Sequence, residues 1–371
     1  MDDHIFRNDS PIPRVTQRVI LVANKAIFME HCTGENHPES PERVESIEQA
    51  LTAANLMDQE NTVLPRLATI EEITLCHSIS YQEELKNQTQ LLQRQGKKCS
   101  AFDSIHWKQN YLPSIVDDHI SGDFQISPKT LNTSLYAAGA PLTAIEYILN
   151  EEKDTSRAFC IVRPPGHHAH QNIGSGFCVF NNIAIAAKHL TQNLGFKRVL
   201  IVDWDAHHGE GTQELTENDP KIFYFSTHKD TSKGFYPGSH WGKAEQQGVG
   251  AGKGTVLNSP VSGSKEECRE GILKAFRDQL VPAMEKYQPD FVLISCGFDA
   301  HEDDPLVDLG LKDEDYEEMT LICIGIAEKY AQGRIVSILE GGYNLDAIAG
   351  AAKVHVETLS RSLGTPVKAS A

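Results

Sequence analysis

Four short stretches of this 371-residue chain set reactive side chains directly after apolar runs. Residues 198–202 lead into Asp203-Trp204-Asp205-Ala206-His207-His208-Gly209, and residues 291–295 lead into Cys296-Gly297-Phe298-Asp299-Ala300-His301. Residues 335–339 lead into Glu340-Gly341-Gly342-Tyr343, and residues 158–162 into Arg163-Pro164-Pro165-Gly166-His167-His168. Asp205 and His207 flank a single residue, so in extended backbone their side chains share one side. With Asp299 they make two carboxylates and one imidazole. Three protein ligands leaving a fourth position for water is the pattern of a catalytic zinc site. Such a metal lowers the pKa of water and polarises a carbonyl. His167 and His168 offer general acid–base groups, and Tyr343 on its Gly-Gly turn can donate a hydrogen bond to a developing oxyanion. The chemistry is hydrolysis of an amide carbonyl. Taken singly, each piece has a plainer reading: an incidental D-x-H triplet, a satisfied loop histidine pair, a turn with an anchoring aromatic. Their conjunction at four strand ends is what favours chemistry.

Something must bring those four ends together. Residues 158–162, 198–202, 222–225, 291–295 and 335–339 are short, nearly continuous apolar runs, as expected of parallel strands covered on both faces. Helical patterns lie at 41–54, 131–150, 180–193, 266–286 and 313–332. Strands alternating with helices predict an α/β domain with a central parallel sheet, whose site forms at the carboxyl ends of the strands. Two segments lack periodicity. Residues 97–127 read as a long functional loop, and the glycine-rich stretch 231–254 as a second loop on the rim.

Bulk properties narrow the partners. Net charge is −17, which argues against nucleic acid and suits a cationic substrate such as a basic peptide or a polyamine; acidity that only aids solubility is the plainer reading. No run reaches membrane-span length, and the N-terminus has no signal-type apolar stretch. The eight cysteines are scattered without a C-x-x-C pair, which points to free thiols and a cytoplasmic setting. No linker or repeat divides the chain, so 1–371 is expected to be one domain.

At this level of detail the residues resemble the zinc-dependent histone deacetylase family. The resemblance rests on residues 163–169, on Gly176-Phe177-Cys178-Val179-Phe180-Asn181-Asn182, on 203–209, on 297–301, on 340–343, and on His37-Pro38-Glu39-Ser40-Pro41-Glu42-Arg43 as the N-terminal signature. These motifs run in the family's order between about 19 and 359. The tryptophan in the metal motif and the paired asparagines are similar to the class II branch, which includes bacterial deacetylase-like amidohydrolases.

The resemblance implies an arginase–deacetylase α/β fold with zinc on Asp205, His207 and Asp299. It implies His168 as general base and acid, His167 as its electrostatic partner oriented by Asp203, and Tyr343 polarising the scissile carbonyl. It also implies a structural potassium ion held by Asp203, Asp205, His207, Ser226 and the carbonyl of Thr227. Phe177 and Tyr236 would line a channel for the lysine stem, Gly176 would lend its carbonyl to the substrate amide, and Leu306 would stand on the rim. Glu210 departs from the Asp or Asn usual at its place, which puts the orientation of His168 in question, and Tyr236 replaces a more frequent Phe. The acidic residue that grips the substrate backbone is placed at Asp123, with Asp117 and Asp118 as alternatives. The expected substrate is acetyl-lysine in proteins or peptides. An acetylated polyamine is the alternative among enzymes, and a non-catalytic acyl-binding protein the alternative of another class. A binuclear ureohydrolase would need further Asp and His ligands that are absent around 203–207. The rim loops leave room for a homo-oligomer.

Overall fold

The computed structural model describes residues 17–102, 124–150 and 155–363. Its strands are β1 (Val19–Ala23), β2 (Thr62–Val63), β3 (Ser100–Ala101), β4 (Gln125–Ile126), β5 (Arg157–Ile161), β6 (Val199–Asp203), β7 (Ile222–Lys229), β8 (Val256–Val261), β9 (Phe291–Cys296) and β10 (Ile335–Leu339). Eight of them form one sheet in the order β2-β1-β5-β10-β9-β6-β7-β8, and every pairing in it is parallel. The five apolar runs read from sequence are the contiguous middle of this sheet. β5, β6, β9 and β10 are buried at every residue, because helices cover both faces. β1 carries the same unbroken apolar signature. β8 is buried at four of its six residues and contains Pro260, which an edge strand tolerates and a central one does not.

Helices Glu42–Ala53, Thr130–Leu149 and Asp313–Tyr330 fall on three of the periodic segments. The segment 266–286 is helical throughout but passes through a π turn, Phe276–Leu280, just before Pro282. Proline has no N–H to close the regular α ladder, and the wider turn absorbs the mismatch. The segment 180–193 likewise ends in a π turn, His189–Asn193, after Asn182–Lys188. Two further helices carry plain end signals. Ile79–Gln95 is capped by Ser78 Oγ and stops at Gly96 with φ 64°, and Leu345–Leu359 is capped by the Asn344 side chain. The segment 97–127 is closed at its base by β3 pairing antiparallel with β4. Asp123, Asp117 and Asp118 lie outside the described residues.

Under the sheet's carboxyl edge sits a fully buried ionic knot. Glu39 accepts hydrogen bonds from Arg163 (Nε to Oε1 2.6 Å, Nη2 to Oε2 2.7 Å) and from Arg43 Nη1 at 3.0 Å, with all three side chains without solvent exposure. Arg43 also donates to the carbonyls of Gly342 and Glu340, so the knot grips the turn that carries Tyr343. Burial pushes the Glu39 carboxyl up, but the Arg163 and Arg43 guanidinium groups outweigh it and keep the group ionised. Removing one partner of a buried pair strands the other charge, so Glu39→Ala is expected to cost about 3–5 kcal/mol, read as a lower denaturation midpoint. A midpoint within error of wild type would contradict it.

Acid sensitivity follows from buried histidines on the same scaffold. Burial pushes His31, His77 and His355 down to about 3. Below their ordinary value of 6.5 the unfolded chain takes up protons at these rings and the folded chain does not. Stability is therefore complete near neutrality and falls as pH drops from about 6.5 towards 3, by about 1–2 kcal/mol per histidine at pH 5. Denaturant midpoints at pH 7 and pH 5 check this, and equal midpoints would refute it.

Candidate metal and hydrolytic site

Register aligns the strand ends that carry the chemistry. Asp203 at the end of β6 stands opposite Ser226 of β7 and Ser295 of β9, and Leu339 of β10 stands opposite Cys296 of β9. The loops that follow converge there. Asp205, His207 and Asp299 bring one ligand atom each to within 4.8 Å of one another. His207 Nδ1 lies 2.9 Å from Asp299 Oδ2 and 3.2 Å from Asp205 Oδ1. Backbone amides aim the carboxylates: Ala206 N–H donates to Asp299 Oδ1 (2.8 Å), His207 N–H to Asp205 Oδ1 (2.9 Å) and Gly341 N–H to Asp205 Oδ2 (2.9 Å). A Cβ on Gly341 would sit 2.7 Å from a carboxylate oxygen of both Asp205 and Asp299, so only glycine fits there.

The electrostatics of the cluster ask for a cation. Burial and the neighbouring Asp205 push Asp299 up to about 7. Burial opposes a charge on His207, yet hydrogen bonds to Asp205 and Asp299 push it up to about 10, as a substitute positive charge between two carboxylates. Two carboxylates and one imidazole converging at this spacing fit a divalent metal ion such as zinc. A second close group, His167, Cys178 and Glu340, is already spent within the protein. Glu340 accepts the Gly166 and His167 amides (2.6 and 3.1 Å), and burial keeps the Cys178 thiol protonated.

The two histidines differ in surroundings. His167 Nδ1 donates to Asp203 Oδ2 at 3.1 Å, and its Nε2 lies 3.7 Å from Asp205 Oδ1. Burial works against its charge, but Asp205, Asp203 and Glu340 together hold it well above the ordinary value. His168 Nδ1 donates to Glu210 Oε2 at 2.6 Å. Burial, aided by His167 and His207, pushes His168 down to about 4 against the pull of Glu210, leaving a neutral ring whose Nδ1 is bonded and whose Nε2 is a base. The longer Glu210 therefore reaches His168 from the first turn of helix Glu210–Thr216. Gly211 permits the approach, since a Cβ there would collide with the Ala169 carbonyl oxygen.

Tyr343 is half-buried, with the Arg43 guanidinium 5.2 Å from its ring centre and Phe177 edge-on at 5.8 Å. Its backbone amide donates to Asp304 Oδ2 at 2.8 Å, while Asp304 Oδ1 accepts the amide of Leu306 at 2.9 Å. One carboxylate thus ties Tyr343 to the loop on which Leu306 stands exposed. Burial and the Asp299 and Asp205 carboxylates hold the phenol protonated, as a donor must be. Phe177 takes the left-handed φ of 67°, rare for a bulky residue, and meets His37 edge-on at 4.7 Å. Tyr236 stands edge-on to His168 at 4.8 Å, its hydroxyl 2.6 Å from Ser175 Oγ. Gly176 lies between them in sequence and space, where a Cβ would collide with the His168 ring; its carbonyl accepts the Cys178 thiol at 3.4 Å.

For the potassium set, Asp203 and Ser226 are neighbours in register and Thr227 follows. The Asp203 side chain is engaged with His167, Tyr224 (3.0 Å) and the Asp205 amide, and Ser226 Oγ with His228 at 2.8 Å, while Thr227 Oγ1 is buried without a hydrogen-bond partner among the described residues. Several contributors escaped the sequence reading. Phe235 stacks on His207 at 5.2 Å, Asp304 steadies Tyr343, and Glu340 holds the His167 turn. Glu340 alone had a visible signal, as the charge closing an apolar strand.

Sheet and strand-end cluster together define the arginase–deacetylase α/β fold. Residues 37–359 match the histone deacetylase domain, and the chain belongs to the histone deacetylase family. It is 36% identical over 331 residues to "Histone deacetylase 6" of Caenorhabditis elegans, covering 88% of this chain and 32% of that protein. The chain therefore spans about a third of that relative's length. It is 34% identical over 321 residues to a "Probable deacetylase" of Archaeoglobus fulgidus, covering 86% of this chain and 80% of the relative. The crystal structure of the HDA15 HD domain superposes with a TM-score of 0.79 at 30% identity, covering 95% of this chain and 90% of that one.

Proposed function

We propose that the chain is a zinc-dependent amidohydrolase that removes the acetyl group from acetyl-lysine side chains. The observation that carries this is one cluster in which Asp205, His207 and Asp299 face one another beside a neutral, carboxylate-bonded His168 and a protonated Tyr343. Asp205, His207 and Asp299 would hold the zinc, which when bound would supply Lewis acidity towards the scissile carbonyl and acidify water. The remaining work falls to the protein. Tyr343 donates its phenolic hydrogen to the carbonyl oxygen as negative charge develops there. His168 Nε2 takes a proton from the attacking water and returns it to the departing lysine nitrogen, so acetate leaves with a free amine. Asp203 fixes the His167 tautomer, and the charged His167 beside His168 helps return the latter to its neutral state. Phe177 and Tyr236 flank the aliphatic stem, with Gly176 offering its second carbonyl lone pair to the substrate amide and Leu306 meeting the substrate at the rim. A potassium ion by Asp203, Ser226 and Thr227 would draw chiefly on backbone carbonyls, and its part is structural. Eight free cysteines fit a reducing, cytoplasmic setting.

Acetylated polyamines share every catalytic requirement, and a net charge of −17 attracts either substrate. The exposed, apolar Leu306 favours a peptide over a second cationic group at the rim. The test compares kcat/KM for an acetyl-lysine peptide and an N-acetylated polyamine. The peptide is expected to be preferred by tenfold or more, about 1.4 kcal/mol. Preference for the polyamine would reassign the substrate and leave the chemistry in place.

A further inference from the structure

Behind His168 the structure builds an alternation of imidazole and carboxylate that continues past Glu210. Glu210 is 1% exposed and presents its two oxygens to two histidines. Oε2 accepts His168 Nδ1–H at 2.6 Å, while Oε1 faces His170 Nε2 at 3.5 Å and has no other polar partner among the described residues. His170 Nδ1 is in turn hydrogen-bonded to Glu214 Oε2. The spacing explains the match. His168 and His170 lie two apart on one turn, Glu210 and Glu214 lie four apart on one helix face, and Gly211 lets that face close on the turn. His170 is itself anchored, its amide donating to Ile173 O at 2.9 Å and its carbonyl bonded to His77 Nδ1 at 2.9 Å. Trp241 packs its ring 6.0 Å from the imidazole.

This arrangement answers a question the long side chain raises. A glutamate has one more torsion than an aspartate, and a buried carboxylate held by one hydrogen bond is neither stable nor directed. We propose that His170 and Glu214 are positioning residues that fix the Glu210 carboxylate and, through it, the tautomer and direction of His168. The inference rests on the hydrolytic role given to His168 above. Burial opposes a charge on His170, but its contacts with Glu210 and Glu214 push it up to about 10, so a cation sits behind the Glu210 anion. Glu214, part-exposed, ends the series at the surface.

The test is a double-mutant cycle on the zinc-loaded full chain with an acetyl-lysine peptide, using His170→Gln, Glu210→Gln and both together. Each single change is expected to lower kcat by roughly tenfold or more, the scale seen when an outer partner of a catalytic histidine is lost, with KM within about twofold. The double variant should be no worse than Glu210→Gln alone, since His170 acts only through that carboxylate. Wild-type kcat in His170→Gln, or penalties that multiply in the double variant, would overturn the proposal. Glu214→Gln gives the same direction of change at a part-exposed site where folding is not at stake. Imidazole-nitrogen NMR of the metal-free chain separates this inference from the hydrolytic one. His168 should be a single Nδ1–H tautomer in wild type and a mixture in His170→Gln, whether or not the protein turns over any acyl substrate. One unchanged tautomer in both proteins would overturn the positioning role by itself.

Discussion

Tyr343→Phe is expected to lower kcat for acetyl amide hydrolysis by roughly 10²–10³, with KM and bound zinc nearly unchanged. The substitution deletes one oxygen and keeps the ring, so the edge-on contact with Phe177 and the Arg43 guanidinium 5.2 Å away both survive. The backbone amide bond to Asp304 is untouched as well. What is lost is the donor to the carbonyl oxygen, an interaction that strengthens as charge develops, and such losses appear in kcat rather than in KM. Steady-state kinetics with metal analysis on the same preparations decides it. Full activity in the variant would remove Tyr343 from the chemistry.

The second large effect belongs to Asp299. Asp299→Ala removes one of three converging ligand groups and the 2.9 Å partner of His207 Nδ1. It also strips the Ala206 amide of its acceptor, so Asp205 and His207 lose their mutual alignment. The expected result is loss of stoichiometric zinc and of turnover by about 10³ or more, as three-ligand sites do not survive as two. Because the alanine also relieves crowding between buried carboxylates, the metal-free variant should unfold no earlier than metal-free wild type. One equivalent of zinc bound as tightly as in wild type would refute the ligand assignment.

Much of this architecture was legible because its signals are local. The runs 158–162, 198–202, 291–295 and 335–339, which become β5, β6, β9 and β10, are apolar at nearly every position, and Arg163, Asp203, Cys296 and Glu340 follow them at once. The motif residues Asp205, His207, Asp299, His168 and Tyr343 could be assembled because parallel strands put all their carboxyl ends on one side. The shorter or edge elements were harder. β8 is interrupted by Asn258, Ser259 and Pro260, and β2 has only two residues, so neither shows a continuous apolar run. Helix boundaries moved where π turns interrupt the α pattern at His189 and Phe276.

Contacts between segments distant in sequence left no local trace. Nothing in the sequence around Glu39 says that it joins Arg43 to Arg163, 124 residues away. Nothing around Asp304 says that it holds the Tyr343 amide, 39 residues on. Glu210 stood out as a departure that put the aim of His168 in doubt. The structure resolves the doubt by geometry: Gly211 brings the helix close, and the extra methylene spans the gap to 2.6 Å.

Metal-dependent hydrolysis of an acetyl amide is proposed for the Asp205–His207–Asp299 cluster. The most direct measurement is acetate release from an acetyl-lysine peptide by the full chain before chelation, after complete removal of metal, and after return of one equivalent of zinc. Turnover is expected to vanish with the metal and to return in full at a one-to-one ratio. Turnover that persists in the metal-free chain, or none from the zinc-loaded chain with either the peptide or an acetylated polyamine, would contradict it.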